Sequence, residues 1–169
     1  MTQQNSSTPK FFDPVILRKS AIIDDGFALD NSRLPLPSIV ELSASGICNR
    51  TCAFCPRSDP TNPNIEEFMS LELTDKLSNQ LAAIDFSGLV IFSGFVEPLL
   101  DKNIFNQISL LRKYLPEARI EIVTNGDMLN KDRLNRLFIS GLSALLISVY
   151  DSKEDADRFE EKYGVKVCS

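Results

Sequence analysis

The sequence predicts an α/β chain built on a parallel sheet, and two observations carry that reading. From Ser38 onward, short apolar runs alternate with stretches of helical period, the pattern of successive β-α units. The runs are strand-length, and each intervening stretch has an apolar face able to cover one side of a sheet. Parallel strands joined through helices cross over in the right-handed sense. Two architectures stay open at this point, a doubly wound open sheet and an arc of a β/α barrel.

Residues 1–37 carry the weakest pattern. A polar start gives way to Pro14-Val15-Ile16-Leu17, Ala21-Ile22-Ile23 and the Pro-rich Leu34-Pro35-Leu36-Pro37, and this part is read as a leader or packed extension. The first strand is expected at Ile39 to Ser43. Leu73, Leu77, Leu81 and Ile84 then keep to one helical face, followed by a second strand from Leu89 to Ser93. Ile104, Ile108, Leu111 and Leu115 mark the next helix, with Pro116 as its stop. A third strand runs from Ile120 to Thr124. Leu134, Leu137 and Phe138 give a helix ending near Gly141, and Leu145 to Val149 forms the fourth strand. Ser152 with Asp155 three residues later resembles a capping box for one more helix. A fifth strand is expected to begin at Val165, with Cys168 as a small buried residue in it.

The composition narrows the function classes. At 169 residues the chain suits one domain, since about 150 residues per domain is usual. Its 43% hydrophobic and 24% charged content is enough for a packed core. The net charge of -5, with no run of one sign, gives no footprint for nucleic acid or an anionic membrane. Histidine is absent, which removes imidazole as general base, triad member or zinc ligand. The longest apolar runs, such as Leu89 to Phe92, are far short of the roughly twenty residues of a membrane span. Met1 to Lys10 lacks the apolar region of a signal peptide, so a cytoplasmic, reducing location is expected.

Three of the four cysteines, Cys48, Cys52 and Cys55, are clustered in one short stretch, which in a reducing compartment reads as a metal or redox site. Soft thiolates suit either zinc or an iron–sulfur cluster. Structural zinc closes four ligands, and the only other thiol, Cys168, lies far along the chain. Three thiolates on a four-iron cluster would leave one iron free to bind a ligand. A knuckle for zinc, or a cluster used only for electron transfer, is the plainer alternative.

In either α/β architecture, ligand chemistry gathers at the loops after the strands' C-terminal ends. Those loops contain the cysteines, Ser93-Gly94-Phe95-Val96-Glu97-Pro98, Thr124-Asn125-Gly126-Asp127 and Ser148-Val149-Tyr150-Asp151. No Gly-rich loop of the dinucleotide-binding or Walker type occurs. Plain structural uses exist for each: Glu97 as a charge at a helix start, Asn125-Gly126 as a turn, Ser148 and Asp151 as strand end and helix start. Arg50 and Arg57, beside the cysteines, could tune a cluster, grip an anionic substrate, or be ordinary surface arginines.

The stretch Cys48-Asn49-Arg50-Thr51-Cys52-Ala53-Phe54-Cys55-Pro56 resembles the signature of radical S-adenosylmethionine (radical SAM) enzymes, including the aromatic residue before the third cysteine. Gly94 to Pro98 resembles the family's glycine–glycine–glutamate region, and Thr124-Asn125-Gly126 its loop after strand three. Val96 departs from the pattern by standing in place of the second glycine. The resemblance runs from about Ser38 to Cys168.

It implies a 4Fe-4S cluster held by Cys48, Cys52 and Cys55, with the open iron chelated by S-adenosyl-L-methionine. Reductive cleavage of that cofactor would yield a 5′-deoxyadenosyl radical that takes hydrogen from a substrate. By the same resemblance Phe54 would pack beside the adenine, the Gly94 to Glu97 loop would meet the methionyl amine, and Ser148 and Asn125 would lie near the ribose. A one-electron donor such as flavodoxin or ferredoxin is implied. The substrate, whether peptide or protein, carbohydrate or small metabolite, is not legible.

The expected architecture is thus a partial β/α (TIM-like) barrel of about five parallel strands. Residues 38–169 are expected to form a radical SAM core truncated at its C-terminal end, since the family's barrel core usually has six strands. The rival reading is a catalytically incomplete iron–sulfur and SAM-binding module, or an electron-transfer protein.

Overall fold

The computed structural model describes residues 14–25, 35–150 and 152–164. Strands β1 (Ile39–Leu42), β2 (Leu89–Phe92), β3 (Arg119–Thr124) and β4 (Ala144–Ile147) form one sheet in the order β1-β2-β3-β4, with every neighbouring pair parallel. A doubly wound sheet reverses its strand order at a switch point. No reversal occurs among the described residues, and the sheet is an arc of a β/α barrel. The strand expected at Val165, with Cys168, lies outside the described residues, as does Asp151.

Leu42, Phe92, Ile122 and Leu145 stand in one register row across the four strands. With Val90 and Ile120 they form the sheet side of a core whose helical side includes Leu81, Ile104, Ile108, Leu111 and Leu137. β2 is buried along its whole length, as a central parallel strand covered on both faces must be. β3 ends at Thr124 as expected, whereas β1, β2 and β4 end one or two residues early, so Ser43, Ser93, Ser148 and Val149 already belong to the loops. Ser43 Oγ donates to the Ser93 carbonyl at 3.2 Å and holds the two exits together.

Helices α2 (Leu71–Ala82), α3 (Ile104–Tyr114), α4 (Lys131–Ile139) and α5 (Lys153–Tyr163) connect or follow the strands. Side-chain oxygens of Ser70, Asn130 and Ser152 cap α2, α4 and α5, each accepting from the first-turn amide three residues on. α2 turns differently from its leucine pattern. Leu73 is 52% exposed and Ile84 lies beyond the helix end, whereas Thr74, Ser78 and Leu81 are buried. The two hydroxyls tolerate this because each donates to the carbonyl four residues back, Thr74 to Ser70 at 2.9 Å and Ser78 to Thr74 at 2.7 Å. Phe138 is also exposed, leaving Leu137 as the buried anchor of α4. No helix among the described residues is long and apolar enough to cross a membrane.

The N-terminal stretch contains a helix, α1 (Pro14–Asp25), that its weak apolar pattern did not predict. Among the described side chains, two ion pairs attach it to the sheet. Glu41 and Glu121 flank Ile91 in one register row, and alternation places all three on the face opposite the helix-packed core. Lys19 reaches Glu41 at 2.6 Å, and the Arg18 guanidinium grips both oxygens of Glu121, which Arg119 also contacts.

The Glu121 side chain is fully buried. Burial works to raise its pKa, but the Arg18 and Arg119 contacts outweigh that and hold it below the ordinary value. A carboxylate with a depressed native pKa contributes stability above its unfolded pKa, and loses it as pH falls through the native one. Glu121→Gln is therefore expected to lower the unfolding free energy by about 2 kcal/mol at neutral pH. In urea titrations the difference from the parent chain should shrink below about pH 4. A gap that stays constant from pH 7 to pH 3 would refute the ionic account.

Candidate functional site

At the C-terminal ends of the strands, loops from all four converge on a cavity of about 230 Å³. Cys48, Cys52 and Cys55, all free and half-buried, line it from the β1 side. The Cys55 amide donates to the Cys52 carbonyl at 2.9 Å, turning the chain into a short 3₁₀ segment, Pro56–Ser58. The Arg50 amide points at Cys48 Sγ, 3.5 Å away.

Two side chains brace this loop. Asn64 clasps the Cys48 backbone from both sides, accepting from its amide and donating to its carbonyl, each at 3.0 Å. Arg57 donates to the Phe95 carbonyl at 2.6 Å and to Asn64 at 2.9 Å. It ties the cysteine loop to the loop after β2. On the other flank Arg50 pairs with Asp127 in the loop after β3, at 2.7 and 2.5 Å. The Arg50 contact, with smaller help from Asn49, keeps the Asp127 pKa below the usual carboxylate value.

The loop after β2 contains Gly94 at φ +108, a conformation L side chains rarely adopt, and a Cβ there would lie 2.3 Å from Ser43 Oγ. Gly94→Ala is expected to destabilise the chain by about 2 kcal/mol and to distort the cavity wall. Thermal melts and SAM titrations of the variant test this, and a variant matching the parent in both would show that the glycine is dispensable.

Glu97 is only 1% exposed, and its carboxylate is fully engaged within the protein. Oε1 accepts from the Leu99 amide at 2.9 Å and the Thr124 hydroxyl at 2.6 Å, and Oε2 accepts from the Asn125 amide at 2.9 Å. It lines the cavity while fastening the β2 loop to the β3 loop.

Asn125 is similarly engaged, its Nδ2 donating to Asn49 at 2.9 Å and its Oδ1 accepting from the Asp127 amide at 3.0 Å. Ser148 lines the cavity from the β4 side, with its amide held by the Thr124 carbonyl at 2.8 Å. Phe54 is 68% exposed and meets Tyr150 edge to face, with ring centroids 4.8 Å apart. All eight residues singled out from the sequence, the three cysteines with Phe54, Gly94, Glu97, Asn125 and Ser148, line this one cavity. Tyr150, Val123 and Thr124 line it too, although the sequence reading assigned them no role.

The donor set fits an iron–sulfur cluster. Among the described residues no three thiols or carboxylates close round a single ion. Cys48, Cys52 and Cys55 instead line one cavity of about 230 Å³, and a set of three soft ligands would leave one iron of a four-iron cluster open.

A sequence profile of the Radical SAM superfamily matches residues 42–167, and the chain belongs to that superfamily. The family's cofactors are a 4Fe-4S cluster and SAM. Over 137 residues the chain is 34% identical to the S-adenosyl-L-methionine-dependent 2-deoxy-scyllo-inosamine dehydrogenase of Niallia circulans, covering 75% of this chain and 54% of that one. A crystal structure of BtrN in complex with AdoMet and 2-DOIA superposes with a TM-score of 0.65 at 34% identity, covering 69% of this chain and 47% of that one. A second BtrN structure, in an open conformation, gives 0.62, with 75% and 54% covered. The chain thus spans about half the length of these relatives.

Proposed function

We propose that this chain forms the cluster- and cofactor-binding part of a radical SAM oxidoreductase that takes a hydrogen atom from a carbon of its substrate. The observation that carries this reading is the convergence of Cys48, Cys52 and Cys55 with the β2, β3 and β4 loops on a single cavity. Likeness to a SAM-dependent dehydrogenase favours a small hydroxylated substrate, with the hydrogen atom taken from a carbinol carbon. When bound, the cluster and SAM together supply a one-electron cleavage that yields a hydrogen-abstracting radical.

The protein's own part is positioning and isolation. Cys48, Cys52 and Cys55 would hold three irons of the cluster. The Gly94 to Val96 backbone offers its polar groups to the methionyl end, while Glu97 holds that loop in place from behind. Phe54 and Tyr150 present aromatic surface for the adenine, and the Ser148 hydroxyl is available to the ribose. The Asn125 side chain supports the wall through Asn49 and Asp127. A one-electron protein such as flavodoxin or ferredoxin in the cytoplasm supplies the electron.

The test is anaerobic reconstitution of the chain with iron and sulfide, reduction, addition of SAM, and assay for 5′-deoxyadenosine. Its formation supports the reading. Cluster assembly without cleavage would favour a cluster- and SAM-binding module, and tight stoichiometric zinc with no iron–sulfur chromophore would overturn both.

A further inference from the structure

We infer that Asn49, Arg50, Asn125 and Asp127 form a clamp that sets the cluster loop against the cofactor loop after β3, which makes Arg50 and Asp127 positioning residues of the reaction. The inference rests on the cluster and cofactor assignment above. Asn49 and Arg50 lie between two cluster cysteines, and Asn125 and Asp127 lie in the loop that follows β3.

Every side chain of this set bonds across the gap or along it. The Arg50 fork takes both oxygens of Asp127, at 2.7 and 2.5 Å. Asn49 uses both ends of its amide, donating to Asp127 at 2.8 Å and accepting from Asn125 at 2.9 Å. Asn125 in turn accepts from the Asp127 amide at 3.0 Å, and its own amide is fixed by Glu97 at 2.9 Å.

A two-point guanidinium–carboxylate pair has directional rigidity that a lysine or a single bond lacks. The Arg50 and Asp127 side chains are 23% and 34% exposed, so the pair is more than a freely solvated surface contact. Asn49 is adjacent to Cys48, so a shift of this corner is transmitted to the first sulfur. Displacements of about 1 Å are enough to cost orders of magnitude in a reaction that depends on alignment. The clamp and the Arg57 brace to Phe95 grip the cysteine loop from opposite flanks.

The test uses the full chain, reconstituted anaerobically, as the parent, Asp127→Asn, Arg50→Lys and the Arg50→Asp/Asp127→Arg exchange. Iron and sulfide content, SAM affinity, and the change in the reduced cluster's paramagnetic resonance spectrum on adding SAM are measured on each. Asp127→Asn is expected to keep its iron but bind SAM roughly tenfold more weakly, the loss of one charge-assisted contact, with a diminished spectral response. Arg50→Lys should fall between it and the parent, and the exchange should restore affinity and response in part.

Parent-like affinity and response in Asp127→Asn would overturn the clamp and leave the functional reading standing. So would a loss confined to thermal stability, with folded protein binding SAM normally. A parent chain that assembles no iron–sulfur cluster would overturn the reading and the clamp together.

Discussion

Cys52→Ala is expected to lose the iron–sulfur chromophore and SAM cleavage together, with 5′-deoxyadenosine falling below detection. The three thiols are the whole soft-donor set of the loop, and the chain has no histidine to replace one of them. A cluster held by two thiolates has two irons without protein ligands, and the site could no longer distinguish the iron that should accept SAM. Cys52 is also the hinge of the loop, since its carbonyl accepts the Cys55 amide at 2.9 Å. That bond is made by the backbone and survives the substitution, so the loss should be chemical rather than conformational. Circular dichroism and melting temperature of the metal-free variant should match the metal-free parent. Cys168→Ala, by contrast, should keep both chromophore and cleavage. Cleavage retained in Cys52→Ala would remove this residue from the cluster.

The strands and the site loops were legible because each left a local mark. β2 is four consecutive large apolar residues, all buried, and the cysteine spacing belongs to few chemistries. What was not legible depended on partners distant in sequence. α1 is held by Arg18 and Lys19, whose partners Glu121 and Glu41 sit on inward-facing strand positions that local alternation does not mark as ionic. The buried face of α2 uses Thr74 and Ser78, polar by type but satisfied by their own helix.

In the site, the family resemblance singled out Glu97 and Asn125, and both line the cavity beside the cysteines. The resemblance could not say that both side chains are engaged by the protein itself, because their partners come from other loops. Arg50 and Arg57 looked optional for the same reason, and each proves to tie the cysteine loop to a neighbouring strand exit. Tyr150 carried a weak signal, an aromatic two residues beyond Ser148 on a loop already marked as functional, and its contact with Phe54 appears only in three dimensions.

Glu97→Gln separates a fastening role from a ligand role. An ionised carboxylate only accepts, and here it faces three donors, the Leu99 amide, the Thr124 hydroxyl and the Asn125 amide. Glutamine has the same shape but one oxygen and one amino group. With the oxygen toward Leu99 and Thr124, the amino group confronts the Asn125 amide. Flipped, it confronts the Leu99 amide, and only the Thr124 hydroxyl can rotate to accept. Either way one backbone N–H is left without an acceptor in a buried place, a cost of about 1–3 kcal/mol, added to the loss of charge-assisted bonds. Glu97→Gln should therefore lower the urea midpoint of the metal-free chain by the equivalent of about 2–3 kcal/mol, and weaken SAM binding because the β2 and β3 loops are no longer fastened. Glu97→Asp keeps the acceptor chemistry but shortens the reach, so it should retain the bond to one loop and lose the other, with an intermediate midpoint. If Glu97 instead held the methionyl amine directly, Glu97→Gln would lose SAM affinity while the metal-free chain unfolded at the parent's urea concentration. That combination would return the residue to the cofactor and refute its role as the fastener between the two loops.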